Sequence, residues 1–289
     1  MKKKFVVIGA EAGQRIDVLC AQKFPDISRS KWQQCGKFTK ESKEFTNKTK
    51  VKTDEVWQVV CEPAKESTGV KKWNFPLKIL AESDSWVAIE KPDGISVHPS
   101  SSDRSNETVA NALVYMFGKK LSAEQANRPG IVHRLDKVTS GVLLVAKNNK
   151  THRVLQDNWK EVEKIYIAIV QGIPPRKGRV ESGILRDTVD RKKMSVSASE
   201  RSREAITFFE RIKTKGKLSL LEIKIPTGRT HQIRVHLSSI GFPILGDTKY
   251  SGQKAERVFL HAKSLAFPDP DNSGKIKKVE SKVPKEFEL

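Results

Sequence analysis

The chain has 289 residues, 37% of them hydrophobic and 30% charged, enough apolar material for one large domain plus a small one. Its 54 Lys and Arg against 34 Asp and Glu leave a formal charge of +20, spread over both ends of the chain. That balance favours a polyanion, nucleic acid or an anionic surface, over simple solubility.

No apolar run approaches the ~18–20 residues that a spanning helix needs. The signal-like start Met1-Lys2-Lys3-Lys4-Phe5-Val6-Val7-Ile8 meets Glu11 too soon for a secretory segment. The expected setting is therefore the cytoplasm, with no membrane partner. Cys20, Cys35 and Cys61 are odd in number and form no Cys-x-x-Cys pair, which predicts free thiols and no zinc module.

Residues 1–65 read as a small α+β module. Gln14 to Ala21 sets Ile16, Leu19 and Cys20 on one helical face. Pro25 breaks that helix, and Ser28 or Ser30 can cap a second one that runs to Cys35 and stops at Gly36. Val51, Val56, Val59 and Val60 then predict a strand or hairpin. Residues 66–75 read as a linker around Ser67-Thr68-Gly69, and 76–289 as the larger domain. There, Leu77 to Glu82 and Trp86 to Glu90 are strand-like, Lys91-Pro92-Asp93-Gly94 is a turn, and Ser100 to Asp103 is a loop. Val109, Leu113, Met116 and Phe117 share a helical face that Gly118 ends.

Ile131 and Val132 predict a strand, His133 to Gly141 a polar turn, and Val142 to Ala146 a second strand. The turn lifts the carboxylate of Asp136 out of the sheet, with Arg134 two residues before it on the same side of an extended chain. Two readings of that pair stand at this point. It is a structural ion pair at a strand end, or a carboxylate kept ionised as a nucleophile or base.

Thr151 to Val162 then reads as a helix, and Lys164 to Gly172 as a strand in which Tyr166 alone signals only packing. Leu218 to Ile225 alternates as a strand, and Arg229 to Leu237 reads as a helix with Arg234 near its middle. Gly246-Asp247 and Tyr250 mark a turn before the strand Arg257 to Ala262. His231 and His236 are five apart and no His-Glu-x-x-His occurs, so no metal is expected. No glycine-rich phosphate loop is present either, and no cofactor is expected.

The run His133-Arg134-Leu135-Asp136, followed by Thr139-Ser140-Gly141 and an apolar strand, resembles the signature of RNA pseudouridine synthases of the large-ribosomal-RNA type. Lys91-Pro92-Asp93-Gly94-Ile95-Ser96-Val97-His98-Pro99 and Thr227-Gly228-Arg229-Thr230-His231-Gln232-Ile233-Arg234-Val235-His236 match the same family in order. This resemblance spans residues 76–287. Residues 12–62 resemble, less closely, an RNA-binding module that also occurs in a ribosomal small-subunit protein. The usual Val-Asn-Gly turn is missing where Glu41 to Thr49 stands, and Thr53-Asp54 replaces Gly-Asp.

The implied fold is α+β: a mixed, mainly antiparallel sheet with flanking helices, preceded by the small module. The implied reaction turns uridine into pseudouridine in RNA, with ribosomal RNA favoured and transfer RNA the alternative. By motif position Asp136 is the catalytic carboxylate, acting as nucleophile or base. Tyr166 would stack on the uracil, and Arg234 would pair with Asp136, with Arg229 second in line. Arg134 would enter the space left by the extruded uridine. His133, His231, Lys91, Arg229, Arg29 and Lys31 complete the expected RNA contacts, and the expected state is a monomer. Two rivals remain: an inactive RNA-binding assembly protein, and a nucleoside glycosidase. The second would need two carboxylates flanking the sugar, and no second one stands out in the sequence.

Overall fold

The computed structural model describes residues 2–25, 27, 29–61, 70–99, 105–125 and 128–289. The chain forms two compact units, residues 1–69 with 123–126, and residues 70–122 with 127–289.

The first unit holds β1 (Lys2–Val6), α1 (Ile16–Lys23), α2 (Arg29–Cys35), β2 (Gly36–Lys40), β3 (Lys43–Phe45) and β4 (Val56–Cys61). The strands pair antiparallel in the order β1-β4-β2-β3. Ile16, Leu19 and Cys20 of α1 pack with Trp32, Phe38, Trp57 and Val59 in one core, as their helical spacing requires. Of the two caps proposed for α2, Ser28 lies outside the described residues; the helix ends at Cys35, and Gly36 opens a strand at once. Where the Val-Asn-Gly turn is missing, Glu41 and Ser42 both take left-handed conformations (φ 49° and 63°). They close the β2–β3 hairpin between Lys40 and Lys43, the geometry that asparagine and glycine adopt more readily. Asp54 likewise takes φ 63° at the turn before β4.

Contrary to the expectation of free thiols, two of the cysteines are bonded. Gly36 pairs with Cys61 in the β2–β4 ladder, which sets Cys35 beside Cys61 with Cα atoms 5.3 Å apart, and the two form a disulfide. A ladder joining residues distant in sequence cannot be read from cysteine spacing. Cys20 alone is free; burial first, then the charge of Asp17, pushes its thiol up to about 12.

The second unit is α+β. Its strands are β5 (Lys78–Glu82), β6 (Trp86–Lys91), β7 (Ser140–Ala146), β8 (Glu163–Gln171), β9 (Lys177–Glu181), β10 (Ile184–Arg186), β11 (Met194–Val196), β12 (Ile206–Lys215), β13 (Leu218–Lys224), β14 (Leu260–Pro268) and β15 (Ile276–Glu280). Its helices are α3 (Val109–Phe117), α4 (Asn149–Asp157) and α5 (Gln232–Ser239). Nine strands form one sheet in the order β5-β6-β7-β14-β8-β13-β12-β9, with β15 beside β14, and β10–β11 is a separate hairpin. Only β7 and β14 run parallel in that sheet, and the remaining pairs are antiparallel. β7 is buried at every position, which explains its unbroken apolar run: both of its faces are covered. Leu143 and Val145 face the larger core, and Val142, Leu144 and Ala146 the opposite one.

Several expected elements move. Ile131 makes an isolated bridge to Val145 instead of a strand. α4 stops at Asp157, so Trp159 and Val162 fall in the following turn. The last expected strand begins at Leu260, not Arg257, and continues unbroken to Pro268. Of the expected linker, 66–69 lie outside the described residues, whereas Val70, Trp73 and Phe75 pack on the large core. The loop expected over Ser100 to Asp103 also lies outside them.

Candidate active site

Asp136 opens a tight turn closed by Thr139 N–H on its own carbonyl at 3.0 Å, and β7 leaves that turn at Ser140. Gly141 has φ 113°, and a Cβ there would lie 2.2 Å from the carbonyl oxygen of Ala262. Only glycine lets β14 come this close. Ala262 pairs with Gly141 on one side and with Tyr166 of β8 on the other. One row across three strands therefore brings the Asp136 turn and Tyr166 to the same end of the sheet.

α5 supplies the third group. The expected helix start at Arg229 shifts to Gln232 because His231 takes a left-handed conformation as the N-cap (φ 55°). Gln232 locks this turn: its Oε1 accepts from Thr227 Oγ1 and Arg229 N, and its Nε2 donates to Ile206 O. Ile233 and Leu237 go into the core, and Arg234 is left to reach the pocket. Its Nη1 donates to Asp136 Oδ2 at 3.3 Å, while Nε and Nη2 clasp Asp247 at 2.6 and 2.8 Å. Side-chain exposure is 16% for Asp136, 6% for Arg234 and 1% for Asp247. Burial works against the Arg234 charge, but the bonds to Asp247 and the charges of both carboxylates outweigh it and raise its pKa. The cation is thus permanent, and it is shared between two carboxylates.

Asp136, Tyr166 and Arg234 line one pocket of about 90 Å³ together with Arg134, Arg229 and His231. Burial first, then the nearby Asp136 charge, raises the pKa of Tyr166, so its hydroxyl stays protonated. Tyr250 OH accepts from Met194 N–H at 2.8 Å and lies 2.7 Å from His231 Nδ1. Tyr250 thereby ties His231 to the β11 backbone at Met194. The face of Tyr250 also lies 5.0 Å from the Arg234 guanidinium carbon.

The other expected contacts divide. Arg134 is exposed at the pocket rim, and the chain around it is irregular, so it is Arg234 and not Arg134 that bonds Asp136. Arg229 gives its Nε to Glu204 O at 2.9 Å. Lys91, assigned to RNA from the sequence, has no exposed surface. Its Nζ donates to Pro92 O, Ile95 O and Lys137 O at 2.6, 2.8 and 3.2 Å, and burial pushes its ammonium down to about 7 against the pull of Asp93 and Asp136. His133, also assigned to RNA, stacks on Trp159 at 4.5 Å, and its Nε2 accepts from Leu144 N at 2.8 Å. Burial, then the charge of Lys164, lowers its pKa to about 3. Lys91 is thus a scaffold residue, whereas His133 is half-buried; a lysine beside a motif looks the same in sequence whether it faces inward or outward. In the first unit Arg29 and Lys31 lie on α2, where Arg29 Nε bonds the buried Asp17 at 3.1 Å. The sequence reading missed Asp247 and Tyr250 as site residues; the pair Gly246-Asp247 with Tyr250 three residues on was their only trace.

Among the described residues no group of three or more His, Cys, Asp and Glu side chains could hold a metal ion. Nor is any helix long and apolar enough to cross a membrane. A carboxyl group in a part-buried pocket, held by a fixed guanidinium and flanked by an aromatic ring, suits attack on, or deprotonation of, a sugar beneath a stacked base.

The comparisons with known proteins place this α+β fold and its pocket among RNA-modifying isomerases. The sequence model of the RNA pseudouridylate synthase family matches residues 85–239. An uncharacterized RNA pseudouridine synthase of Aquifex aeolicus is 40% identical over 266 residues, 88% of this chain and 81% of that protein. The ribosomal large subunit pseudouridine synthase D of Borreliella burgdorferi is 38% identical over 303 residues, 99% of this chain and 91% of that one. The solved structure of human RNA pseudouridylate synthase domain containing 1 is similar with a TM-score of 0.60 at 25% identity, covering 76% of this chain and 86% of that one. The chain belongs to the RNA pseudouridylate synthase family.

Proposed function

We propose that the chain converts one or a few uridines of large-subunit ribosomal RNA to pseudouridine, with Asp136 as the catalytic carboxylate. The observation that carries this reading is the placing of Asp136, Arg234 and Tyr166 in one pocket. The reaction breaks the bond from ribose to the base nitrogen, turns the uracil and joins its carbon 5 to the sugar. Asp136 either attacks the sugar or takes a proton from it. Arg234 holds the carboxylate in place, and Tyr166 lies under the uracil as a stacking face. Extruding a uridine costs a few kcal/mol, which Arg134 offsets by entering the vacated space and Arg229 and His231 by contacts at the rim. Arg29 and Lys31 meet RNA phosphates at the start of α2. The protein works as a monomer in the cytoplasm, without metal or cofactor.

The choice of RNA is supported by relatives named for the ribosomal large subunit. Mapping pseudouridines in total RNA from cells with and without the gene tests it. Loss of large-subunit sites is expected; loss confined to transfer RNA would replace the substrate and keep the chemistry. Asp136→Asn keeps the side chain's shape but removes the anion, and is expected to bind RNA with no detectable product. Turnover by that variant would refute the assignment.

A further inference from the structure

The aim of Asp136 depends on where its turn sits, and the turn is fixed at both ends. Lys91 holds the carbonyl of Lys137. At the other end the hydroxyl of Ser140 accepts from Arg257 Nη2 at 2.6 Å and is hydrogen-bonded to His261 Nδ1 at 2.9 Å. Nη1 of the same Arg257 lies 3.4 Å from Asp93 Oδ1 and 3.0 Å from Glu286 Oε1. The ring of Phe287 lies 5.5 Å from its guanidinium carbon. One cation, 11% exposed, thus joins three stretches far apart in sequence: the turn after β6, the exit of the catalytic turn, and the C-terminal segment.

Packing of β7 is incomplete on this side. A cavity of about 320 Å³ opens beside these bonds, lined among others by Pro92, Asp93, Ser140, Arg257, His261 and Pro284. The Ser140 end of the turn borders this open cleft, so on that side the bonds of Arg257 hold it where the core does not. Arg257 does not line the Asp136 pocket, so it reaches the chemistry only through its neighbours. We infer that Arg257 is a positioning residue for Asp136, acting through Ser140 and Asp93.

This inference rests on Asp136 being the catalytic carboxylate, and the test separates the two. The probe is total RNA from cells lacking the gene, incubated with excess full-length protein. The rate of pseudouridine formation is followed against enzyme concentration, giving a plateau rate and a half-saturating concentration. Arg257→Gln is expected to lower the plateau by about tenfold or more, since small misplacements of a reacting group cost up to ~100-fold, and to leave half-saturation within about twofold. Arg257→Lys should recover part of the loss, because one ammonium reaches Ser140 or Asp93 but lacks the guanidinium's fork. Ser140→Ala should slow the plateau less, and the double variant Arg257→Gln with Ser140→Ala should be no slower than Arg257→Gln alone, as for groups acting in series. A wild-type plateau for Arg257→Gln would overturn the inference, as would a parallel loss of binding and thermal stability with fully additive effects. If Arg257→Gln does not fold, Ser140→Ala, which removes one hydroxyl, decides alone: a wild-type plateau overturns the inference. Asp136→Asn runs beside them. Turnover by that variant would remove the underlying reading, whereas a silent Asp136→Asn with a fast Arg257→Gln refutes only the role of Arg257.

Discussion

At the scale of single residues, the site turns on one guanidinium between two carboxylates. Asp247 takes the two shorter bonds of Arg234 and is almost wholly buried, so it sets the orientation while Asp136 receives the remaining Nη1. Breaking such a buried pair costs about 3–5 kcal/mol. Asp247→Asn is therefore expected to lower the urea midpoint and the turnover rate together; an unchanged midpoint would mean that Arg234 is held by other contacts. Lys91 yields a prediction in pH. Its pKa falls from 10.5 in the unfolded chain to about 7 in the fold, so between those values unfolding takes up a proton, and rising pH favours the folded state. Below about pH 7 both states carry the charge and the contribution is flat. The melting temperature of the wild type minus that of Lys91→Met should rise from pH 7 to pH 10, and a constant difference would show that Lys91 is not depressed. Asp136 and Arg234 could be singled out because each stands in a motif with fixed spacing, and Tyr166 only through the family's strand tyrosine. Asp247 could not, since what makes it a site residue is a bond to Arg234 formed by folding.

At the scale of elements, strand existence was readable and strand order was not. Leu218 to Lys224 alternates because Ser219, Leu221 and Ile223 face the interior while Leu220 and Glu222 do not, and a period of two is visible in any sequence. The parallel pairing of β7 with β14 joins residues about 120 positions apart, and no local pattern encodes it. Its one local mark is Gly141. A side chain there would meet both an unfavourable φ and the Ala262 backbone, so the two strands could not keep their spacing. Gly141→Ala is expected to destabilise the fold by about 3 kcal/mol or more, in the range of strained backbone and overpacking combined. Thermal unfolding would measure it, and a loss below 1 kcal/mol would mean that β14 can retreat at little cost. Helix ends were the least legible feature. α5 starts late because Gln232 turns its amide to Thr227, Arg229 and Ile206, and its partner on β12 is remote in sequence.

At the scale of the whole molecule, the charge of +20 belongs to binding, and the pocket belongs to the chemistry. Every residue of the proposed reaction lies in the second unit, whereas Arg29 and Lys31 lie in the first, so the two contributions can be separated by mutation. Arg29 is 49% exposed, and its Nε is held by Asp17. Asp17 also accepts from Arg15 and Gln33. Burial opposes the Asp17 charge, but the bonds from Gln33, Arg15 and Arg29 outweigh it and lower its pKa. Removing Arg29 therefore leaves Asp17 its bonds from Arg15 and Gln33, and the small unit should stay folded. For RNA phosphate contacts, the logarithm of affinity falls linearly with the logarithm of salt, and each lost contact reduces that slope by about 1. Arg29→Ala with Lys31→Ala should thus weaken RNA binding, lower the slope by about 2, and leave the plateau rate of pseudouridine formation at its wild-type value. Titrations at several salt concentrations, with single-turnover rates on the same RNA, make the comparison. An unchanged slope would remove both side chains from the RNA interface, and a fallen plateau would make the first unit part of the catalytic step.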